Sequence, residues 1–333
     1  MAITQPDLKH FLSEVVATGA TNGGMMSENQ AVDAQKNNVW PNVSAAMRET
    51  GGTMYRKIFG SPRNVGSEAL SAIKVWLHGP TAGDDYVYMF AGTKTDTEAD
   101  FSQTVKYAAA DLAADITTGD TACTITCEDA VTTLGFHASG KVAISDQLYP
   151  GARGASLVVT LSSTPPLVSG LTVTLYFETA ITAGFLASNT VVGAVMEPSD
   201  IEATTGTIVV TSASGTVDES VYPPVCYNKG TRDETLTASF STTTNFTVSG
   251  SRSGALGSGT VDTDFVATHP TNSATLITIP AGFFSATGFV ALDTVVIPTI
   301  GCNFAYWEAR VIPALADSLN GNQAISAYTG ESG

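Results

Sequence analysis

Leu171-Thr172-Val173-Thr174-Leu175-Tyr176-Phe177-Glu178 sets apolar residues at 171, 173, 175 and 177 against Thr172, Thr174, Tyr176 and Glu178. A period of two marks a strand with one buried face and one wet face, because successive side chains leave the pleat on opposite sides. Ile73, Val75 and Leu77 alternate with Lys74, Trp76 and His78 in the same way. Comparable runs recur at Thr53 to Phe59, Asp85 to Phe90, Ala122 to Cys127, Lys141 to Ser145, Leu157 to Leu161 and Thr207 to Thr211. They continue at Leu236 to Phe240, Phe246 to Ser249, Leu276 to Ile279, Thr294 to Ile297 and Phe304 to Val311. Gly79-Pro80, Gly83-Asp84-Asp85, Thr164-Pro165-Pro166 and Pro223-Pro224 separate them with residues that turns select. The chain reads as all-β.

Helix evidence is confined to Gln103 to Ala114, whose alanine run reads either as a helix or as a linker into the next strands. The first fifty residues differ from the rest. Thr21 to Pro41 is rich in Gly, Asn and Gln, with Met25, Met26 and Trp40 as its large apolar groups, and reads as an extended arm that needs a partner surface. Of the fifteen basic residues, nine fall within residues 1 to 106, and only Arg252 and Arg310 lie beyond Asp233. These shifts set apart an arm over 1–50 and a run over 107–198 that reads as an inserted β module, flanked by β segments over 51–106 and 199–333. An insertion of this kind places Phe101 near Asp200. On the alternation in Phe304 to Val311, the core face is Ala305, Trp307, Ala309 and Val311, with Tyr306, Glu308 and Arg310 opposite.

Only 14% of the 333 residues are charged, with 31 acidic against 15 basic and a net charge of -16. That balance disfavours nucleic-acid binding, which needs clustered Lys and Arg against phosphate. The opening residues Met1 to Asp7 lack the basic and apolar regions of a signal peptide, so synthesis in the cytoplasm is expected. The most apolar stretch, Gly288 to Trp307, is broken by Asp293, Pro298 and Asn303, so membrane insertion is not expected.

Chemistry is hard to find. Cys123 and Cys127 lie ~13 Å apart if they stand on one strand, too far for a disulfide, and their spacing matches no zinc motif. With Ile125 they read as buried core thiols. His10, His78, His137 and His269 fall in no metal-binding spacing, and His78 reads as a surface imidazole packed on an aromatic. Asp84-Asp85, Asp96 to Asp100 and Asp262 with Asp264 do not complete a calcium loop and read as solvated turns. Gly254 to Gly259 lacks the lysine and hydroxyl of a phosphate loop, and Gly250 to Gly254 is not a serine nucleophile elbow. No catalytic, cofactor-binding or metal-binding residues emerge, and the expectation is a protein that is not an enzyme and carries no cofactor. A glycan hydrolase would need two carboxylates paired in a cleft.

Two segments carry a resemblance. Gly23-Gly24-Met25-Met26-Ser27, Val32 to Ser44 with its Asn37-Asn38-Val39-Trp40-Pro41 centre, Gly51 to Phe59 and Ile73 to Leu77 resemble the opening of a group of tailed-bacteriophage virion proteins encoded among tail genes. Ala255 to Thr260 with Asp264-Phe265, Tyr306 to Ala314 and Tyr328 to Ser332 are similar to the close of the same group. The resemblance covers both ends better than the middle, and it implies that 51–106 and 199–333 make one core β-sandwich into which 107–198 is inserted. It implies a structural subunit of the virion, assembled in the host cytoplasm, most naturally a ring-forming tail or baseplate component whose partners are copies of itself and other virion proteins. A charge-poor, Thr- and Ser-rich β chain with an arm suits that role, because edges and arms bury against neighbours. The alternative is a capsid decoration or receptor-binding protein facing the host surface. Met25, Met26, Trp40, Trp76, Tyr86 and Tyr88 are the candidate interaction residues.

Overall fold

The computed structural model describes residues 2–32, 35, 37–81, 83–100, 104–146, 156–317 and 326–332. Strands dominate, paired antiparallel throughout, and the helices among the described residues are one-turn to two-turn pieces. One of them, Ala45–Thr50, starts where the Ser44 hydroxyl accepts the Met47 amide at 3.1 Å, an ordinary N-cap.

The largest sheet is built on β1 (Leu8–Val15), β2 (Gly23–Ala31), β3 (Gly52–Pro62) and β5 (Tyr86–Ala91), while β4 (Leu70–Leu77) belongs to a separate two-stranded sheet. The largest sheet continues into β6 (Tyr107–Leu112), β7 (Ala122–Thr126), β8 (Lys141–Asp146), β9 (Ser156–Thr160), β10 (Leu167–Ser169), β11 (Thr172–Tyr176) and β12 (Thr190–Val195). β13 (Thr204–Thr205), β14 (Val209–Thr211), β16 (Glu234–Phe240), β17 (Asn245–Gly250), β18 (Gly254–Thr260) and β21 (Thr294–Ile300) form a separate six-stranded sheet. β15 (Val225–Cys226), β19 (Phe265–Thr268) and β20 (Thr275–Ile279) form a three-stranded one. The last strands are β22 (Phe304–Ile312) and β23 (Ser326–Ser332).

The order of the large sheet is β10-β11-β7-β6-β5-β22-β3-β1-β2, with β12, β8 and β9 branching from β6. β22 therefore returns from the far end of the chain to sit between β3 and β5, in the register Phe304↔Gly60 to Ile312↔Gly52. β23 pairs with β4. That pair covers one face of β22 with Leu70, Ile73, Val75, Leu77 and Tyr328, while the other face closes on Phe90, Ala108, Ile125 and Val142. The face carrying Trp307 and Ala309 is core as the alternation predicts, but Tyr306, Glu308 and Arg310 are buried too. The reason is the second layer, which a single strand's pattern does not announce.

Three further expectations need correction. Within Gln103 to Ala114 the alanine run lies in strand β6, Tyr107–Leu112, with bends on either side and Gln103 itself outside the described residues. Ala108 and Ala109 are small because the backbone crowds there: a Cβ on Gly135 would stand 2.6 Å from Ala108, and Ala109 pairs with Gly193. Helix propensity loses to that packing. Residues 8–31 are not a free arm but a strand pair docked on β3, with Leu8↔Pro62 and Leu12↔Ile58. His78 is buried, not a surface imidazole.

Residues 107–198 begin and end on neighbouring strands, since Asp111 pairs with Val191 and Ala109 with Gly193. They share a core with Tyr86, Phe90, Trp307 and Ala309. Phe101 lies outside the described residues; Asp200 accepts the Ala72 amide at 2.9 Å. Residues 203–302 have a core of their own in which Phe240 and Phe289 stack with centroids 4.0 Å apart.

Candidate functional site

The Gly23-Gly24 pair opens β2 for a steric reason. Gly23 has φ +111°, and a Cβ there would stand 2.8 Å from the Trp307 ring and 2.8 Å from the Asp96 carbonyl. Only glycine fits both the backbone and the space. Beyond it, Met26 packs among Phe11, Phe59 and Ala305, and Met25 is half-buried. Trp307 donates its indole N–H to Asp96 Oδ2 at 3.0 Å and stacks on Phe90.

Beneath that ring lies a buried cation. Lys57 Nζ sits 2.7 Å from Asp96 Oδ1 and donates to the carbonyls of Gly24 at 2.6 Å and Asp96 at 2.8 Å. Two hydrogen bonds and an ion pair thus compensate the ammonium, the condition for a buried charge to be tolerated. Burial pulls the Lys57 pKa down, and Asp96 opposes it. Next along β3, Arg56 donates to the carbonyls of Val39, Ala17 and Tyr55 and lies 5.5 Å from the centre of the Trp40 ring. Trp40 is thereby held against the body, half-buried beside Val43 and Met47.

On β22, Arg310 Nε donates to Asp85 Oδ2 at 2.5 Å, both residues buried. Asp85 and Asp96 are therefore ion-pair partners of interior cations and not solvated turn residues; Asp84, Asp100, Asp262 and Asp264 are exposed as expected. Burial pushes the Glu308 carboxyl up to about 7, with Ser326 and Trp40 pulling the other way. Glu128 rises to about 8 through burial and the charges of Asp85 and Asp111. Tyr86 and Tyr88 are buried in the same region, and desolvation lifts both hydroxyls to about 12.

A seam of polar contacts joins β1–β3 to residues 199–303. Arg63 and His269 both reach Glu28, at 3.3 and 3.2 Å. Burial raises the Glu28 pKa, but the His269 hydrogen bond and the Arg63 charge outweigh it and hold the carboxyl at about 2. Lys94 pairs with Asp233 at 3.0 Å, and Arg252 with Glu14 at 2.5 Å. The structure thus spends its scarce cations on its own interior and seam, a use that sequence spacing could not reveal because every pair is remote in sequence.

Of the six candidate interaction residues, Met26, Trp76, Tyr86 and Tyr88 are buried, and Met25 and Trp40 are half-buried. They do not form one open surface. Burial corrects the expectation: aromatic residues in short alternating runs fill a two-faced core before they serve a partner. Exposed apolar groups lie elsewhere. The β10–β11 hairpin turns at Gly170, with φ +62°, and exposes Leu167, Val168 and Leu171. A groove runs beside the start of β1, its two lobes of about 490 and 410 Å³ sharing Gln5, Leu8 and Tyr328; Lys9, His10 and Gln30 line one lobe and Trp76 and His78 the other.

All four cysteines are buried, and desolvation raises Cys123 to about 12 and Cys127 to about 11. Among the described residues no group of three His, Cys, Asp or Glu side chains could hold a metal ion, and no helix is long and apolar enough to cross a membrane. No protein-family model, curated protein or solved structure matches the chain.

Proposed function

We propose that the chain is a structural subunit of a tailed-phage virion, a ring-forming tail or baseplate component that works by self-assembly. In this reading the terminal regions make one β-sandwich and residues 107–198 are inserted into it. The observation that carries the proposal is the way the large sheet ends. Its last strand, β10, has no partner on its outer side among the described residues and bears the exposed Leu167 and Val168 beside Leu171. Soluble β proteins usually guard such an edge with charge, proline or a bulge; here Pro165 and Pro166 precede it and no charge stands on it. An apolar, uncharged edge suits a neighbour in an assembly.

The test is to locate the chain in particles of the phage that encodes it, by electron microscopy with an antibody against the chain. Labelling at the tail or baseplate in a ring of fixed stoichiometry is the expected result, and absence from the particle overturns the proposal. The groove beside β1 favours the second reading, a capsid decoration or receptor-binding protein. Its Gln5 and Gln30 amides, beside Lys9, present the mixed donors and acceptors that sugar hydroxyls require. Label on the capsid, or saturable binding of the isolated protein to host glycans, would select it.

A further inference from the structure

Residues 203–302 are joined to the rest of the chain without a shared core. The six-stranded and three-stranded sheets are built from their strands alone, and among the described residues none of these strands pairs with the large sheet or with β4–β23. Leu236, Phe246, Ile277 and Phe289 belong to a cluster that takes in no side chain from outside 201–302. The clusters around Trp307 and Tyr306 in turn take in none from 203–302. Ile201, among the described residues, is the one that packs on both sides. Residues 107–198 differ, because they share a core with Phe90 and Trp307 and are fixed by apolar packing.

Both connections leave the body at one place. The Ile201 amide and carbonyl exchange hydrogen bonds with those of Leu70, at 2.9 and 2.8 Å. On the return, the Cys302 carbonyl accepts the Ser61 hydroxyl at 2.7 Å, and Phe304 re-enters the cluster that holds Leu70 and Ile201. Two chain segments crossing side by side make a hinge axis. Contacts farther out must therefore fix the angle of the module.

Those contacts are polar. Lys94 pairs with Asp233 and also donates to the Gly301 carbonyl at 2.7 Å. Arg252 reaches across to Glu14 and to the Met26 carbonyl, the latter at 2.8 Å, and His269 faces Glu28, to which Asn272 donates at 3.3 Å. The Asn228 amide donates to the Gly66 carbonyl at 2.8 Å, and its side chain donates to Asn64 Oδ1 at 2.9 Å. The side chains of Glu14, Glu28 and Lys94 are 43, 23 and 29% exposed, so dissolved ions reach the pairs and screen them. A polar interface between two parts of a chain leaves their relative motion open, whereas a large apolar one suppresses it. We infer that residues 203–302 form a hinged module, which swings about Ile201 and Cys302 and is latched by charge over β2, the strand that ends the large sheet. Opening breaks the latch and leaves both cores intact. The motion belongs to a single copy of the chain and does not depend on self-assembly.

Hydrogen exchange on the full chain separates a swing from unfolding, because the Asn228 amide is buried and bonded across the seam. Raising sodium chloride from ~0.1 to ~1 M shortens the screening length from ~10 to ~3 Å. Asn228 is then expected to exchange at least ~10-fold faster relative to the amides of β3 and β16, which lie inside the two bodies. Arg252→Gln and Lys94→Gln, each checked by thermal melting, are expected to speed Asn228 at low salt in the same way. Should either variant fail to fold, the salt series on the wild type decides. An Asn228 rate that ignores salt overturns the hinge. So does one that rises only together with β3 and β16, since the two bodies then open as one cooperative unit.

Discussion

β16 and β22 are both interior strands of their sheets, yet they bury their side chains in different ways. β16 buries Glu234, Leu236, Ala238 and Phe240 and leaves Thr235, Thr237 and Ser239 more open. β22 buries nearly every residue, with Trp307 and Ala309 in one core and Phe304 and Tyr306 in another. The difference lies in what covers the second face. In β22 that cover is the β4–β23 pair, and the price of a two-faced strand that still carries charge is a set of internal ion pairs. The body is thus held by apolar packing together with buried Lys57, Arg56, Glu308 and Arg310, whereas the unit at 203–302 rests on a phenylalanine-rich interior.

The largest expected effect comes from breaking a buried pair. Asp96→Ala leaves the Lys57 ammonium without its carboxylate and Trp307 without an acceptor, and is expected to cost ~3 to 5 kcal/mol in chemical denaturation. Lys57→Met with Asp96→Asn should cost clearly less than Asp96→Ala, because no buried charge remains; equal losses would show that the pair is not what holds this region.

Protonation gives the next contrast. Glu308 has its folded pKa raised from 4.5 to about 7, so the folded state holds a proton that the unfolded state releases. Stability conferred by the neutral carboxyl is fully present below pH ~4.5 and declines as the pH rises to about 7, by an amount on the order of a few kcal/mol. Glu28 has the opposite sign: its folded pKa of about 2 makes its contribution full above pH ~4.5 and lost as the pH falls towards 2. Glu308→Gln should therefore gain on wild type between pH 4.5 and 7, and Glu28→Gln should lose least to wild type in acid. Urea melts between pH 2 and 7 check both, and parallel stability curves for Glu308→Gln and wild type would contradict the assignment.

The smallest effect belongs to the apolar unit. Ile297→Val on β21 removes one methylene from a fully buried site and is expected to cost ~0.5 to 1.5 kcal/mol, with no pH dependence. A pH-dependent loss there would blur the distinction between the two bodies.

The same contrast explains what could be read from the chain. Leu236 to Phe240, Phe246 to Ser249 and Leu171 to Glu178 lie in strands covered mainly on one side, so period-two alternation found them. β12 escaped because Thr190–Val195 is buried at every position and shows no alternation. β18 escaped because its glycines read as a loop, although a Cβ on Gly259 would stand 2.8 Å from Phe246. Cys123 and Cys127 were legible as core thiols from their shared face with Ile125. The pairing of Lys57 with Asp96, of Arg310 with Asp85 and of Glu28 with His269 was not, since each depends on a fold that joins distant segments.

Self-assembly is the claim on which the functional reading turns, and sedimentation velocity of the full-length chain over a wide concentration range tests it most directly. The account predicts a discrete species at a fixed multiple of the 34.4 kDa chain. A single 34.4 kDa species at every concentration would contradict it.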